Sequence, residues 1–126
     1  MNKVNILIVD DHTLFRTGVR RMLEAEEDMR VVGEAATGVE ALEQARALMP
    51  DVILMDMQMP EMDGYVATER LRDSGYQGPI VALTAHTMKG DKEKALAAGC
   101  TGYIAKPIDT RKFLETVSQY LKDDDL

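Results

Sequence analysis

Short apolar runs alternating with longer amphipathic stretches set the tightest limit on how this chain can fold. The runs are VNILIV at 4–9, VVGEA at 31–35, VILM at 52–55, IVAL at 80–83 and GYIA at 102–105. Most are rich in Val or Ile, as strands buried on both faces must be, and five βα units in succession predict an α/β fold, a doubly wound parallel sheet with helices on both faces. The intervening stretches carry the 3.6-residue period: Phe15, Val19, Met22 and Leu23 in the first, Leu42, Ala45 and Leu48 in the second, Phe113, Val117 and Leu121 in the last. Thr37 with Glu40 has capping-box spacing, Asp63 and Asp109 stand as N-caps, and Gly75 and Gly99 stand where helices end. The fourth helix, at 87–98, is interrupted by Gly90 in its first turn.

Composition bounds what such a fold can do. The chain has 126 residues, 45% of them hydrophobic, enough for one domain with a full core. A net charge of −7 with no basic stripe argues against direct nucleic-acid binding. Cys100 is the lone cysteine, so no intrachain disulfide forms, which suits a reducing cytoplasm. Asp10 and Asp11 cut the first apolar run far short of a signal segment or membrane span, and residues 123–126 read as a frayed acidic tail.

Parallel strands share one direction, so the residues that follow them gather at one rim, where such folds bind ligands. Those residues are Asp10 and Asp11, Asp56, Thr84 and Lys106. Three neighbouring carboxylates raise one another's pKa unless a cation takes the charge, and their hard oxygens favour Mg²⁺. Asp56 can then attack phosphorus and form an aspartyl phosphate, with Lys106 and Thr84 serving the phosphoryl oxygens. Each residue also has an ordinary reading: an acid pair opening a helix is usually a solvated cap, Asp is common in turns before proline, and Lys106 before Pro107 fits a turn. Their joint placement at four strand ends favours the chemical reading.

Asp10-Asp11, Asp56 within LMDMQMPEMDG, Thr84 in ALTA and Lys106-Pro107 in YIAKP together resemble the receiver domain of two-component response regulators, over essentially the whole chain. The resemblance implies a flavodoxin-like (βα)5 fold of strand order 2-1-3-4-5, a receiver domain at 1–122, and phosphoryl transfer to Asp56 from a histidine kinase or histidine phosphotransfer protein. It further implies Mg²⁺ on Asp11 and Asp56, with Asp10 acting through water and the Gln58 backbone carbonyl completing the protein ligands. Lys106 would contact the phosphoryl group, its bond to Pro107 would be cis, and Thr84 and Tyr103 would form a switch pair that remodels a surface for a downstream protein. The chain is expected to be cytoplasmic and, when unphosphorylated, a monomer without an output domain. Residues 10–42 resemble receivers of NarL/FixJ-type regulators, whereas 55–72 through 102–109 resemble receivers of hybrid sensor kinases, which leaves a divergent natural receiver, a chimera and a designed sequence open.

Two rival functions remain. A hydrolase of the haloacid-dehalogenase type wants a second Asp two residues past the nucleophile, where this chain has Gln58; an unphosphorylated scaffold is expected to lack Asp56 or Lys106. Met55, Met57, Met59 and Met62 read as core packing rather than a soft-metal site. His12, His86 and Cys100 are too few and too scattered for zinc, although His86 stands two residues past Thr84, at a rim position. GEAATG at 33–38 mimics a phosphate loop, but Val39 and Glu40 follow where Lys and Ser or Thr are needed. The stretch 69–72 reads as an exposed helix face.

Overall fold

The computed structural model describes residues 3–84, 89–106 and 110–124. Five strands and five helices alternate: β1 (Val4–Val9), α1 (Thr13–Glu24), β2 (Met29–Ala35), α2 (Gly38–Leu48), β3 (Val52–Asp56), α3 (Gly64–Asp73), β4 (Ile80–Thr84), α4 (Lys89–Ala98), β5 (Gly102–Ala105) and α5 (Thr110–Asp124). The strands form one parallel sheet in the order β2-β1-β3-β4-β5, as expected.

Strand periodicity splits the core in two. Leu7, Val9, Ile53, Met55, Ile80 and Ala82 pack on one face with Ala41 and Ala45 of α2, Ala67 and Leu71 of α3 and Ala95 of α4. Ile6, Ile8, Val52, Leu54, Val81 and Leu83 pack on the other with Val19 and Leu23 of α1 and Phe113 and Val117 of α5. Every residue of β3 and β4 is buried, so their apolar runs leave no polar alternation to read.

Differences from the sequence-based expectations have local causes. β2 begins at Met29, because Val4 pairs with Met29 and the alternation simply passes through exposed Arg30, whose guanidinium donates to Asn5 Oδ1 at 3.0 Å. Leu48, the last residue of α2, is 39% exposed, whereas Ala41, on the same helix face two turns earlier, is buried. The stretch 69–72 is not simply an exposed face: Leu71 is buried, and Arg72 donates to the carbonyls of Gly99, Tyr76 and Gly78 at 2.9, 2.9 and 2.7 Å. The last turn of α5 takes in Asp123 and Asp124, which were expected in the tail. Gly33, the decoy's first glycine, is a β2 residue. His86, Pro107 and Asp109 lie outside the described residues, as does the expected start of the fourth helix at 87.

The caps among the described residues fall where expected. Thr37 accepts the Glu40 N–H and Asp63 accepts the Val66 N–H, fixing where α2 and α3 start. Gly75 and Gly99 follow α3 and α4 at φ +101° and +118°, a conformation that L side chains resist. Met57 and Met59 are buried and Met62 packs against them, so the methionine-rich loop is core packing.

Gly64 ties this loop to the site. A Cβ there would overlap the Asp56 carbonyl and lie 2.7 Å from Met57 Cα, so the first turn of α3 can press against the end of β3 only without a side chain. Gly64→Ala is expected to destabilise the fold by about 2 kcal/mol, because backbone rather than a movable side chain must give way. Urea denaturation would measure this, and an unchanged midpoint would contradict the close approach.

Candidate functional site

Four of the five strands deliver a polar residue to the same rim. Asp10 directly follows β1, and its N–H continues the sheet by donating to the Ala35 carbonyl at 3.0 Å. Asp56 and Thr84 are the final residues of β3 and β4, one residue beyond the expected strand ends. The ladder runs through them: Asp56 pairs with Leu83, Thr84 pairs with Ala105, and the Lys106 N–H donates to the Thr84 carbonyl at 2.7 Å.

Asp10 is fully buried, not a solvated cap. Both its oxygens are committed: Oδ1 accepts the His12 N–H at 2.8 Å, and Oδ2 accepts from Lys106 Nζ at 2.9 Å. The N-cap of α1 is His12, whose side chain makes no capping hydrogen bond. Lys106 Nζ also lies 3.6 Å from Asp56 Oδ1 and 4.2 Å over the Phe15 ring, so one ammonium serves two carboxylates and an aromatic face. Gln58 donates its backbone N–H to Asp56 Oδ1 at 3.1 Å.

Two buried oxygens have no hydrogen-bond partner among the described residues: Asp11 Oδ1 and Asp56 Oδ2. A buried carboxylate oxygen left unpaired is costly. Asp10, Asp11 and Asp56 each offer an oxygen, and His12 a ring nitrogen, with all of these atoms within 4.8 Å of one another. Unpaired hard oxygens in such an acidic pocket suit a divalent cation.

Burial pushes the Asp56 carboxyl up from the ordinary 3.8 to about 6. The Gln58 N–H opposes this shift, Asp10 adds to it, Lys106 opposes it and Asp11 adds to it. Thr84 is buried at the adjoining strand end, and Tyr103, partly buried on β5, packs against the same core face as Ala82, its register partner. Lys92 of α4 stands over the Tyr103 ring at 5.4 Å.

The sequence reading missed two residues here. His12, set aside as part of a scattered set, lies with Nδ1 3.2 Å from Asp10 Oδ1 and 3.1 Å from Asp11 Oδ1. Arg16 donates to the Asp10 carbonyl and pairs with Glu34 at 3.1 Å, holding the β1–α1 turn to β2. The available signal was position: His12 adjoins the acid pair, and Arg16 follows one helical turn later.

The pattern that describes the response regulator receiver domain matches residues 6–118. The chain belongs to the response regulator receiver family. It is 41% identical over 123 residues to the polar-differentiation response regulator DivK of Brucella anthropi, covering 94% of this chain and 97% of DivK. It is 37% identical over 114 residues to the nitrate/nitrite response regulator protein NarL of Escherichia coli, covering 90% of this chain and 53% of NarL. The chain thus spans nearly all of DivK but about half the length of NarL. Among solved structures it resembles the signal receiver domain of the NarL response regulator from Mycobacterium tuberculosis, with a TM-score of 0.92, 34% identity and coverage of 97% and 98% of the two chains. As a receiver, the chain is a phosphorylation-controlled signalling domain, and neither the hydrolase nor the scaffold reading is favoured. No helix among the described residues is long and apolar enough to cross a membrane.

The raised Asp56 pKa has a stability consequence. Between about pH 4 and 6 the folded receiver holds a proton on Asp56 that the unfolded chain has released, so this group's contribution falls as pH rises through that window. In chelator, Asp56→Asn is expected to match wild type near pH 4 and to exceed it by about 2 kcal/mol at pH 7. Denaturant titrations of both proteins across that range give the difference, and a difference that shrinks with pH would refute the assignment.

Proposed function

We propose that Asp56 is the phosphoryl acceptor of this receiver and that a histidine kinase or histidine phosphotransfer protein is the donor. The observation that carries this reading is Asp56 Oδ2, a buried oxygen without a hydrogen-bond partner among the described residues, beside the Lys106 ammonium and two further carboxylates. In the transfer, Asp56 attacks phosphorus, the phosphorus–nitrogen bond of the donor phosphohistidine breaks, and the imidazole leaves with the electron pair and takes a proton from solvent. Lys106 and the Thr84 hydroxyl donate to the phosphoryl oxygens. Attack by water on the same phosphorus returns Asp56 and inorganic phosphate, so turnover is confined to the chain's own carboxylate.

The unpaired oxygens of Asp11 and Asp56 support these two as direct ligands, whereas Asp10, already committed to Lys106 and the His12 N–H, fits a water-mediated role. With the Gln58 carbonyl they would hold Mg²⁺, which neutralises charge on the transferring oxygens. The acidic chain acts in the cytoplasm on a downstream protein rather than on nucleic acid, and is a monomer when unphosphorylated.

Acetyl phosphate with Mg²⁺ is expected to add the mass of one phosphoryl group to the wild type and none to Asp56→Ala, read by intact-protein mass spectrometry. Equal labelling of both would refute Asp56 as acceptor, and no adduct together with no fluoroberyllate binding would favour a scaffold.

Thr84 and Tyr103 form the switch in this reading. The Thr84 hydroxyl follows the phosphoryl oxygens inward, Tyr103 turns in beside it, and the face of α4, β5 and α5 is remodelled. Since a ligand shifts an equilibrium only through its differential affinity for two states, Thr84→Ala is expected to accept phosphate yet respond less. Amide NMR shifts over residues 89–106 with fluoroberyllate measure that response, and equal shifts in both proteins would break the coupling.

A further inference from the structure

The observation that goes beyond a receiver's acidic pocket is the imidazole beside it. His12 Nδ1 lies 3.1 Å from Asp11 Oδ1, yet that oxygen has no hydrogen-bond partner, so the two atoms adjoin without the geometry that would share a proton. Two donors bound about 2.1 Å from one ion at right angles stand about 3.0 Å apart, so the spacing is that of neighbouring ligands on a single ion. The second unpaired oxygen, Asp56 Oδ2, belongs to a side chain only 4% exposed, and Asp56 falls within the same 4.8 Å cluster.

We propose that His12 is a protein ligand of the cation in this pocket, which makes the site prefer borderline transition ions such as Ni²⁺, Cu²⁺ or Zn²⁺ to Mg²⁺. The chemistry follows from donor type: Mg²⁺ takes oxygen and gains little from an imidazole, whereas the later first-row ions bind nitrogen strongly and rise in affinity toward copper. His12 can serve in this way because its side chain is 69% exposed and caps no helix N–H, so turning the ring onto an ion gives up only its Nδ1 hydrogen bond with Asp10 Oδ1 at 3.2 Å. The inference rests on the proposed cation site at Asp11 and Asp56.

Calorimetric titration of the full chain with Ni²⁺ and with Mg²⁺ at fixed ionic strength tests it. Wild type is expected to bind Ni²⁺ about tenfold or more tighter than Mg²⁺, and His12→Ala to lose about tenfold or more of the Ni²⁺ affinity while Mg²⁺ affinity stays within about twofold. Pulsed electron paramagnetic resonance of the Cu²⁺-loaded chain is expected to show imidazole nitrogen coupling that disappears in His12→Ala and persists in His86→Ala. Equal losses for both ions would make His12 only an orienting neighbour of Asp10 and overturn the proposal, as would nitrogen coupling that follows His86. Ni²⁺ binding that survives Asp11→Ala together with Asp56→Asn would put the ion elsewhere. The phosphorylation reading is judged separately, by the acetyl phosphate adduct with Mg²⁺.

Discussion

Three carboxylates share one rim, and a single ammonium holds them there. Like charges about 4 Å apart cost about 4 kcal/mol at the effective dielectric of a partly buried site, so the group could not persist without compensation. Lys106 supplies it by standing 2.9 Å from Asp10 and 3.6 Å from Asp56. The compensation is incomplete, since one positive charge meets three negative ones. The deficit falls on the carboxylates that Lys106 does not saturate, and these carry the unpaired oxygens. The pocket's suitability for a cation is therefore a property of its charge count, built in before any ligand arrives.

The sheet converts sequence position into this charge count. Because all five strands run parallel, the residues that close β1, β3, β4 and β5 are brought together from positions almost a hundred residues apart, as in the Asp10–Lys106 pair. Close packing then fixes the spacing. Gly64 lets α3 approach the Asp56 carbonyl, Gln58 turns its N–H back to the carboxylate, and Arg16 anchors the Asp10 carbonyl to α1. None of these three touches the chemistry in the proposed reaction through its side chain, except by holding an acid in place.

This is why the fold and the acids were legible from the sequence while their supports were not. Strand identity follows from apolar runs, and rim position follows from strand direction, so Asp10, Asp56, Thr84 and Lys106 could be found without knowing a single contact. His12, Arg16 and Arg72 belong to a different class. A charged or polar residue on a helix looks solvated by default, and whether its long or turning side chain reaches inward depends on what the tertiary fold sets beside it. Arg72 spans from α3 to the carbonyl after α4 and to the loop before β4, a reach that no local pattern encodes. Leu48 errs the other way, since its helical spacing was correct and it shares a face with buried Ala41, but it is the last residue of α2 and stays partly exposed there.

The same contrast identifies the element best suited to carry a signal. β4 is buried throughout, and moving it would break packing on both faces of the sheet. In α4, by contrast, Ala95 is the one buried side chain among those described, Leu96 is 44% exposed, and a Cβ at Gly90 would meet open space. Lys92 over Tyr103 and Lys94 over Tyr65 hold the helix to β5 and to α3, contacts worth about 0.5–1 kcal/mol each at exposed sites. A coupling free energy of about 1–3 kcal/mol, the usual scale for linked sites, is enough to exchange such contacts and far too small to disturb the sheet. Thr84 stands at the end of the rigid strand, and Tyr103 stands under the loosely held helix. In the proposed switch a phosphoryl group at the rim would act through an immobile strand end on a neighbour that moves cheaply, and Lys92 would be the contact that turning the Tyr103 ring must first give up.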